Sequence, residues 1–157
     1  MKSYWRNKNV IVTGGAGFIG SSVCEQLLDL GARVSITTQS GNLENVESIK
    51  KSIRVINCDL KNLSAAVKAL AGQEVVLNLA SKVAGIDYNI KHPAYMFSEN
   101  VEIAKNTIEA ARLNSAERFL VVSSACVYPR HTKIPTPEEE GFIGDPEPTN
   151  LGYGWAK

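Results

Sequence analysis

The run Thr13-Gly14-Gly15-Ala16-Gly17-Phe18-Ile19-Gly20 constrains what this chain can fold into more than any other stretch. It joins an apolar, β-branched segment, Val10 to Thr13, to a segment of helical period, Phe18 to Leu30. In the latter, Ile19, Val23, Leu27 and Leu30 fall on one face and Gly31 supplies the stop. Strand, tight glycine turn and amphipathic helix in that order make a cradle for a pyrophosphate. Gly14 permits the turn, Gly17 lets a phosphate approach the backbone, and Gly20 lets the helix pack closely on the strand. The helix N-terminus adds N–H groups without intrahelical partners and the positive end of its dipole. Dinucleotide binding at Gly14, Gly17, Phe18, Ile19 and Gly20 is therefore expected. The spacing is GxxGxxG.

The rest of the chain repeats the theme. Arg33 to Thr38, Ile53 to Asn57, Val75 to Leu79 and Phe119 to Ser123 are further short apolar runs. Between them lie helical patterns, Asn62 to Leu70 with Leu63, Val67 and Leu70 in register, and Tyr95 to Leu113 with Val101, Ala104, Ile108, Ala111 and Arg112 marking its turns. Buried strands alternating with helices imply parallel pairing and right-handed crossovers. The fold class is α/β: a doubly wound, Rossmann-type parallel sheet of about five strands, forming one domain over residues 1–157. Residues 129–150 hold five of the six prolines and the run Glu138-Glu139-Glu140. They read either as a long loop that orders on binding or as a linker.

With 17 basic against 16 acidic side chains, the chain has no electrostatic footprint for nucleic acid or for an anionic membrane. It has no apolar run of the roughly 20 residues that span a bilayer, and no signal-peptide core, so a cytoplasmic protein is expected. Cys24, Cys58 and Cys126 are too widely spaced for a metal site, and His92 and His131 stand alone, so no metal is expected. Cys24 and Cys58 read as small buried hydrophobes.

Chemistry is signalled at the far end. The fifth strand runs into Ser123-Ser124-Ala125-Cys126-Val127-Tyr128-Pro129, and Tyr153 and Lys157 stand four apart. On a helix that spacing puts both on one face. A lysine charge lowers the pKa of a neighbouring phenol toward working pH, so the phenol can exchange a proton. A nearby hydroxyl can steer a substrate oxygen toward it. YxxxK alone carries little weight, but after this glycine turn and this serine-rich strand end it becomes specific.

These motifs resemble the extended short-chain dehydrogenase/reductase family, the NAD(P)-dependent epimerases, dehydratases and reductases of nucleotide sugars. The resemblance implies catalytic roles for Ser124, Tyr153 and Lys157, with Tyr153 and Lys157 also touching cofactor. It places Asp59-Leu60 at the adenine, where a helix cap is the competing reading for Asp59. Leu79, Ala80 and Ser81 would line the cofactor after Asn78. Asn100 matches a family asparagine, or is a solvated helix residue. Thr38 stands where an acidic residue would bind the adenosine ribose and repel a 2′-phosphate. Its absence favours NADP over NAD, with the Thr38 and Ser40 hydroxyls as donors and Arg33 at the wrong end of the strand.

Two stretches narrow the likeness. Ala80-Ser81-Lys82-Val83-Ala84-Gly85-Ile86 and Glu147-Pro148-Thr149-Asn150 are similar to GDP-L-fucose synthases, and Ser124-Ala125-Cys126-Val127-Tyr128-Pro129 to those enzymes and to GDP-mannose 3,5-epimerases. In both groups the cysteine is an acid or base in epimerisation; Cys126 either has that role or is simply buried. Asp87 and Thr37-Thr38-Gln39 depart from the fucose-synthase pattern. The implied function is an NAD(P)-dependent epimerase/reductase of a GDP-linked sugar, dimeric through helix 95–113 and the YxxxK helix. Another sugar-nucleotide 4-epimerase or dehydratase, or a non-catalytic dinucleotide-binding module, is the alternative. Five strands, an apolar fifth strand at an edge and a YxxxK helix without further length imply the N-terminal part of a longer enzyme. Its substrate domain would be absent, and the 157 residues alone are expected to be inactive.

Overall fold

The computed structural model describes residues 2–157, with side chains from Tyr4 onward. In chain order come helix α1 (Lys2–Trp5), strand β1 (Asn9–Thr13), helix α2 (Phe18–Asp29), strand β2 (Arg33–Thr38), a 3-10 segment at Glu44–Ser52 and strand β3 (Arg54–Asn57). Helix α3 (Leu63–Ala69), strand β4 (Val75–Asn78), helices α4 (Ile86–Lys91) and α5 (Pro93–Leu113) and strand β5 (Arg118–Val121) follow. After 3-10 turns at Ala125–Val127, Glu138–Phe142 and Pro148–Asn150, the chain reaches helix α6 (Leu151–Ala156). The backbone gathers into two compact units. One holds the chain up to Ala80 with Ile103–Val121; the other holds Ser81–Glu102 with Val122–Lys157.

In the first unit the five strands form one parallel sheet in the order β3-β2-β1-β4-β5. Side chains alternate between its faces. Val10 and Val12 join Val34, Ile36 and Val75 against Cys24 and Leu27 of α2. Ile11, pointing the other way, joins Val76 against Ala66 and Leu70 and against Ala110 and Ala111 of α5. Because both faces are covered, the strands are continuous apolar runs rather than alternating ones. This is the doubly wound, Rossmann-type sheet that the sequence implies. Ile11 is wholly buried, and shortening such a residue to alanine costs about 2–5 kcal/mol. At the end of α2, Gly31 takes φ +82° while Gly31 N–H bonds Leu28 O and Ala32 N–H bonds Leu27 O. That left-handed turn is why the helix stops there.

Several sequence expectations change. Ile19 and Ile108 do not join the buried helix faces; they are 61% and 50% exposed. The inward face of α5 is polar in part: Asn106 and Thr107 are buried, and Asn106 Nδ2 donates to the carbonyls of Leu60 and Lys61. Asn114, just past the helix, donates likewise to Val67 O. Helix α4 and the 3-10 segment at Glu44–Ser52 fall where the sequence shows no clear periodicity. Residues 129–150 are not a bare linker. They carry two 3-10 turns tied by the ion pairs Arg130–Glu147 and Lys133–Glu140, with Glu140 of the acidic run buried.

Candidate active site

The glycine turn is built on the ends of β1 and β4. Thr13 donates its hydroxyl to Asn78 Oδ1 at 2.6 Å and accepts the Ala80 N–H at 3.1 Å, so one buried side chain ties both strand ends. Gly14 N–H donates to Thr37 Oγ1, bringing in β2. Gly14 itself has φ +66°, and a Cβ there would lie 3.0 Å from Ala80 Cα; backbone handedness and close approach both require glycine. A Cβ on Gly20 would lie 2.5 Å from Gly14 O. The turn and the first turn of α2 therefore touch backbone to backbone.

The N-terminus of α2 is open. Its N-cap, Gly17, has no side chain to cap the first N–H groups, and Phe18 is 88% exposed beside it. Unpartnered amides, a positive dipole end and the absence of a carboxylate cap fit a phosphate anion. A dinucleotide thus suits the residues present: Gly14, Gly17, Phe18, Ile19 and Gly20 around its phosphates, and Leu79 and Ala80, half-buried after β4, along its path. Asp59 Oδ1 accepts the Lys61 N–H, while α3 is capped by Asn62, which accepts from Ala65 N–H. The capping role considered for Asp59 is filled by another residue. Leu60 is buried in the core. At the end of β2, Thr38 Oγ1 accepts the Gly41 N–H and Ser40 Oγ the Asn42 N–H. Both hydroxyls keep their protons to donate. Arg33 opens β2, at the opposite end of the sheet.

The second unit holds Ser124, Cys126, Tyr153 and Lys157. Asn100, on α5, is only 3% exposed, which removes the reading of a solvated residue. Its Oδ1 accepts from Ser81 Oγ at 2.7 Å and Lys82 N–H at 2.8 Å; its Nδ2 donates to Lys82 O and Met96 O. Three of these four hydrogen bonds fix the segment after β4, and the fourth ties the amide to its own helix. Ser124 accepts the Cys126 N–H at 3.2 Å and so shapes the 125–127 turn, with its own proton left to donate. Ser123 donates its hydroxyl to the Lys157 carbonyl at 3.2 Å. Lys157 Nζ lies 5.9 Å from the centre of the Tyr153 ring. Burial pushes the Lys157 ammonium below the ordinary lysine range. Ser124, Cys126 and Tyr153 are all half-buried, so each has a face toward solvent.

The sequence reading overlooked the two glycines that flank Tyr153. A Cβ on Gly152 would overlap Pro93 O, and one on Gly154 would lie 2.6 Å from Cys126 O and 2.5 Å from Pro146 Cβ. Helix α6 is thereby pressed against the start of α5 and against the turn that carries Ser124. Two glycines inside a helix of six residues were the available signal, since each costs about 1 kcal/mol relative to alanine unless packing demands it. Glu147 was quoted only as part of a motif. It accepts from Arg130, from Thr149 N–H and from Thr149 Oγ1, while its own N–H donates to Cys126 O. The hydrogen bond from Arg130, with those from Thr149, holds its carboxyl at about 2.

Among curated relatives, the GDP-L-fucose synthase of Escherichia coli is 31% identical over 153 residues, covering 96% of this chain and 43% of that protein. The GDP-mannose 3,5-epimerase of Arabidopsis thaliana is 30% identical over 138 residues, covering 86% of this chain and 36% of that one. Among solved structures, the GDP-mannoheptose C4 reductase of Campylobacter jejuni with NADP bound superposes with a TM-score of 0.79 at 26% identity, over 96% of this chain and 41% of that chain. The chain therefore spans about two-fifths of the length of the proteins it matches. The family model for NAD dependent epimerase/dehydratase proteins matches residues 10–157, from the first buried strand through the glycine turn to the tyrosine and lysine, and the chain belongs to that family.

Proposed function

We propose that this chain supplies the NAD(P)-binding and proton-transferring part of a nucleotide-sugar epimerase/reductase whose substrate is GDP-linked. The observation that carries the reading is that α6 sets Tyr153 between two close-packed glycines with Lys157 at its ring, on the same turn-bearing unit as Ser124. The GDP-linked substrates named for the relatives support the substrate class.

Bound dinucleotide supplies hydride acceptance and return at its nicotinamide. The chain's own residues do the rest. Gly14, Gly17 and Gly20 seat the phosphates on backbone N–H groups. Thr38 and Ser40 offer hydroxyl protons where a carboxylate would repel a 2′-phosphate, which favours NADP; Asp59 accepts at the adenine. Tyr153 gives or takes the proton of the sugar hydroxyl that becomes a carbonyl. Lys157, where it is protonated, stabilises the phenolate form of Tyr153. Ser124 donates to the same substrate oxygen. Cys126, on the same turn, acts as acid or base at a ring carbon in the epimerisation step. The 157 residues by themselves are proposed to bind cofactor without turning substrate over, and the protein at the length of its relatives to do both. A second copy is proposed to pack along α5 and α6, where Tyr95, Phe97, Ile108 and Trp155 are exposed. Among the described residues no helix is long and apolar enough to cross a membrane.

The test is Tyr153→Phe in the protein at the length of its relatives, assayed with NADPH and GDP-linked 4-keto sugars. Turnover should fall by about 10²–10⁴-fold, with cofactor affinity within about twofold of the parent. Unchanged turnover removes the role given to Tyr153.

A further inference from the structure

The glycine turn lets a ligand come close because it lacks side chains, and for the same reason it does little to hold its own shape. Three of the four residues from Gly14 to Gly17 are glycine, the residue with the most backbone freedom to lose. At its start the turn is held from β2, where Thr37 Oγ1 accepts the Gly14 N–H. Its tip, Gly17, is exposed and has no capping side chain. The tip is held by a residue 29 positions further along the chain: Asn45 Nδ2 donates to Ala16 O at 2.9 Å. At the other end of the same peptide group, Gly17 N–H donates to Gly14 O at 2.9 Å. A trans peptide is planar, with N–H and C=O directed opposite ways, so bonding both ends fixes the whole plane. That plane leads directly into Phe18 and Ile19, whose amides open α2.

Asn45 lies on the 3-10 segment at Glu44–Ser52, which is docked on α2 by other residues. Val46 is wholly buried in the cluster that holds Cys24 and Leu27, and Ser48 Oγ donates to Glu25 Oε1. The Asn45 side chain is itself exposed, so it can be altered without opening the core. Between β2 and Asn45 the chain braces itself. Thr38 Oγ1 accepts the Gly41 N–H, Ser40 Oγ the Asn42 N–H and Asn42 Oδ1 the Glu44 N–H. One braced loop therefore carries both the hydroxyls assigned to the adenosine ribose and the amide that reaches the phosphate turn.

We infer that Asn45 is a positioning residue for the cofactor pyrophosphate: it fixes the Ala16–Gly17 peptide, and with it the first amides of α2, before the cofactor arrives. The inference rests on dinucleotide binding at the cradle. The experiment compares the 157-residue chain with Asn45→Ala and Asn45→Asp in three measurements: affinity for NADPH and NADH by fluorescence, Tm, and backbone amide order parameters without ligand. Asn45→Ala should weaken the tighter-binding dinucleotide about fivefold, the scale of one hydrogen bond. Asn45→Asp keeps the shape, and an acidic residue suits the first turn of a helical segment, but it has no proton for Ala16 O. It should hold Tm and still weaken binding at least as much as alanine does. In both variants the order parameters of Gly17 and Phe18 should fall from about 0.85 toward about 0.6. Parent-like affinity in either variant, or unchanged order parameters at the tip, overturns the inference and leaves dinucleotide binding standing. So does a loss of Tm that runs parallel to the loss of affinity in both variants, which marks an asparagine that only supports the fold. A parent chain that binds neither NADPH nor NADH overturns the dinucleotide reading and this inference with it.

Discussion

The molecule uses glycine for two opposite purposes, and the contrast explains how its two candidate sites are built. In the turn between β1 and α2, glycines clear space for a ligand. Gly17 leaves the amides of the first helical turn uncapped, and a Cβ there would meet only Gly14 O, at 3.1 Å. In α6, glycines clear space for protein. Gly152 and Gly154 admit the backbone of Pro93 and of Cys126, leaving no room for a ligand between them. The first site is an opening framed by strand ends; the second is a clamp that aims a phenol. Binding should therefore depend on the first pair of surfaces and folding of the second unit on the other.

The most severe way to break the contrast is Gly152→Ala. The added methyl meets backbone rather than a flexible side chain, so nothing nearby can yield. The loss of stability should be about 2–4 kcal/mol, seen as a lower Tm. A variant as stable as the parent would mean that α6 is not clamped. Gly17→Ala should do the reverse. Its neighbour is a single carbonyl, so Tm should change little, whereas NADPH affinity measured by fluorescence should drop about tenfold, the scale of one misplaced phosphate contact. Equal losses of Tm and affinity in both variants would erase the distinction.

The smallest effect sharpens it. Glu147 anchors the segment leading to α6, and its carboxyl sits at about 2 against an ordinary 4.5 because Arg130, and then Thr149, favour the ionised form. The sign follows: the folded state holds this proton less tightly than the unfolded chain. Its stabilisation is complete above pH 4.5 and is lost as pH falls toward 2. The cradle is tied by Thr13, Asn78 and Thr37, which do not titrate. In an acid titration followed by NMR, the Thr149 amide should move with a midpoint near 2 while the Ala80 amide stays put. A Thr149 midpoint at 4.5 would show that Arg130 does not hold the carboxylate.

How much of this was legible in the residues divides along the same line. The cradle was readable because its requirements are local: a β-branched strand, glycines at fixed offsets, a helix start. Ser124, Tyr153 and Lys157 were readable as a motif only. What places them was not, because Gly152 and Gly154 matter through contacts with Pro93 and Cys126, some 60 and 30 residues away. The face of α5 was misread for a related reason. Hydrophobic periodicity looks for apolar side chains inside, and here Asn100 and Asn106 are inside, their amides serving the carbonyls of Lys82, Leu60 and Lys61. Loops that expose backbone carbonyls toward a helix recruit asparagine where a bare sheet would recruit leucine. Ile108, on the same helix, is exposed.

The strand order has a consequence for how the chain reaches this state. β1 is the central strand and precedes the other four in the chain, yet only one of its neighbours, β2, follows closely. The other, β4, carries Asn78, the partner of Thr13, 65 residues later. Until it arrives, one ladder of β1 lies open and the Thr13 hydroxyl lacks its acceptor. The glycine turn can bend early, but the seat it needs for a phosphate is completed only once Asn78 and Ala80 have been synthesised. Ordering of the cradle is thus bound to a long-range closure, with the slow kinetics that such closures bring.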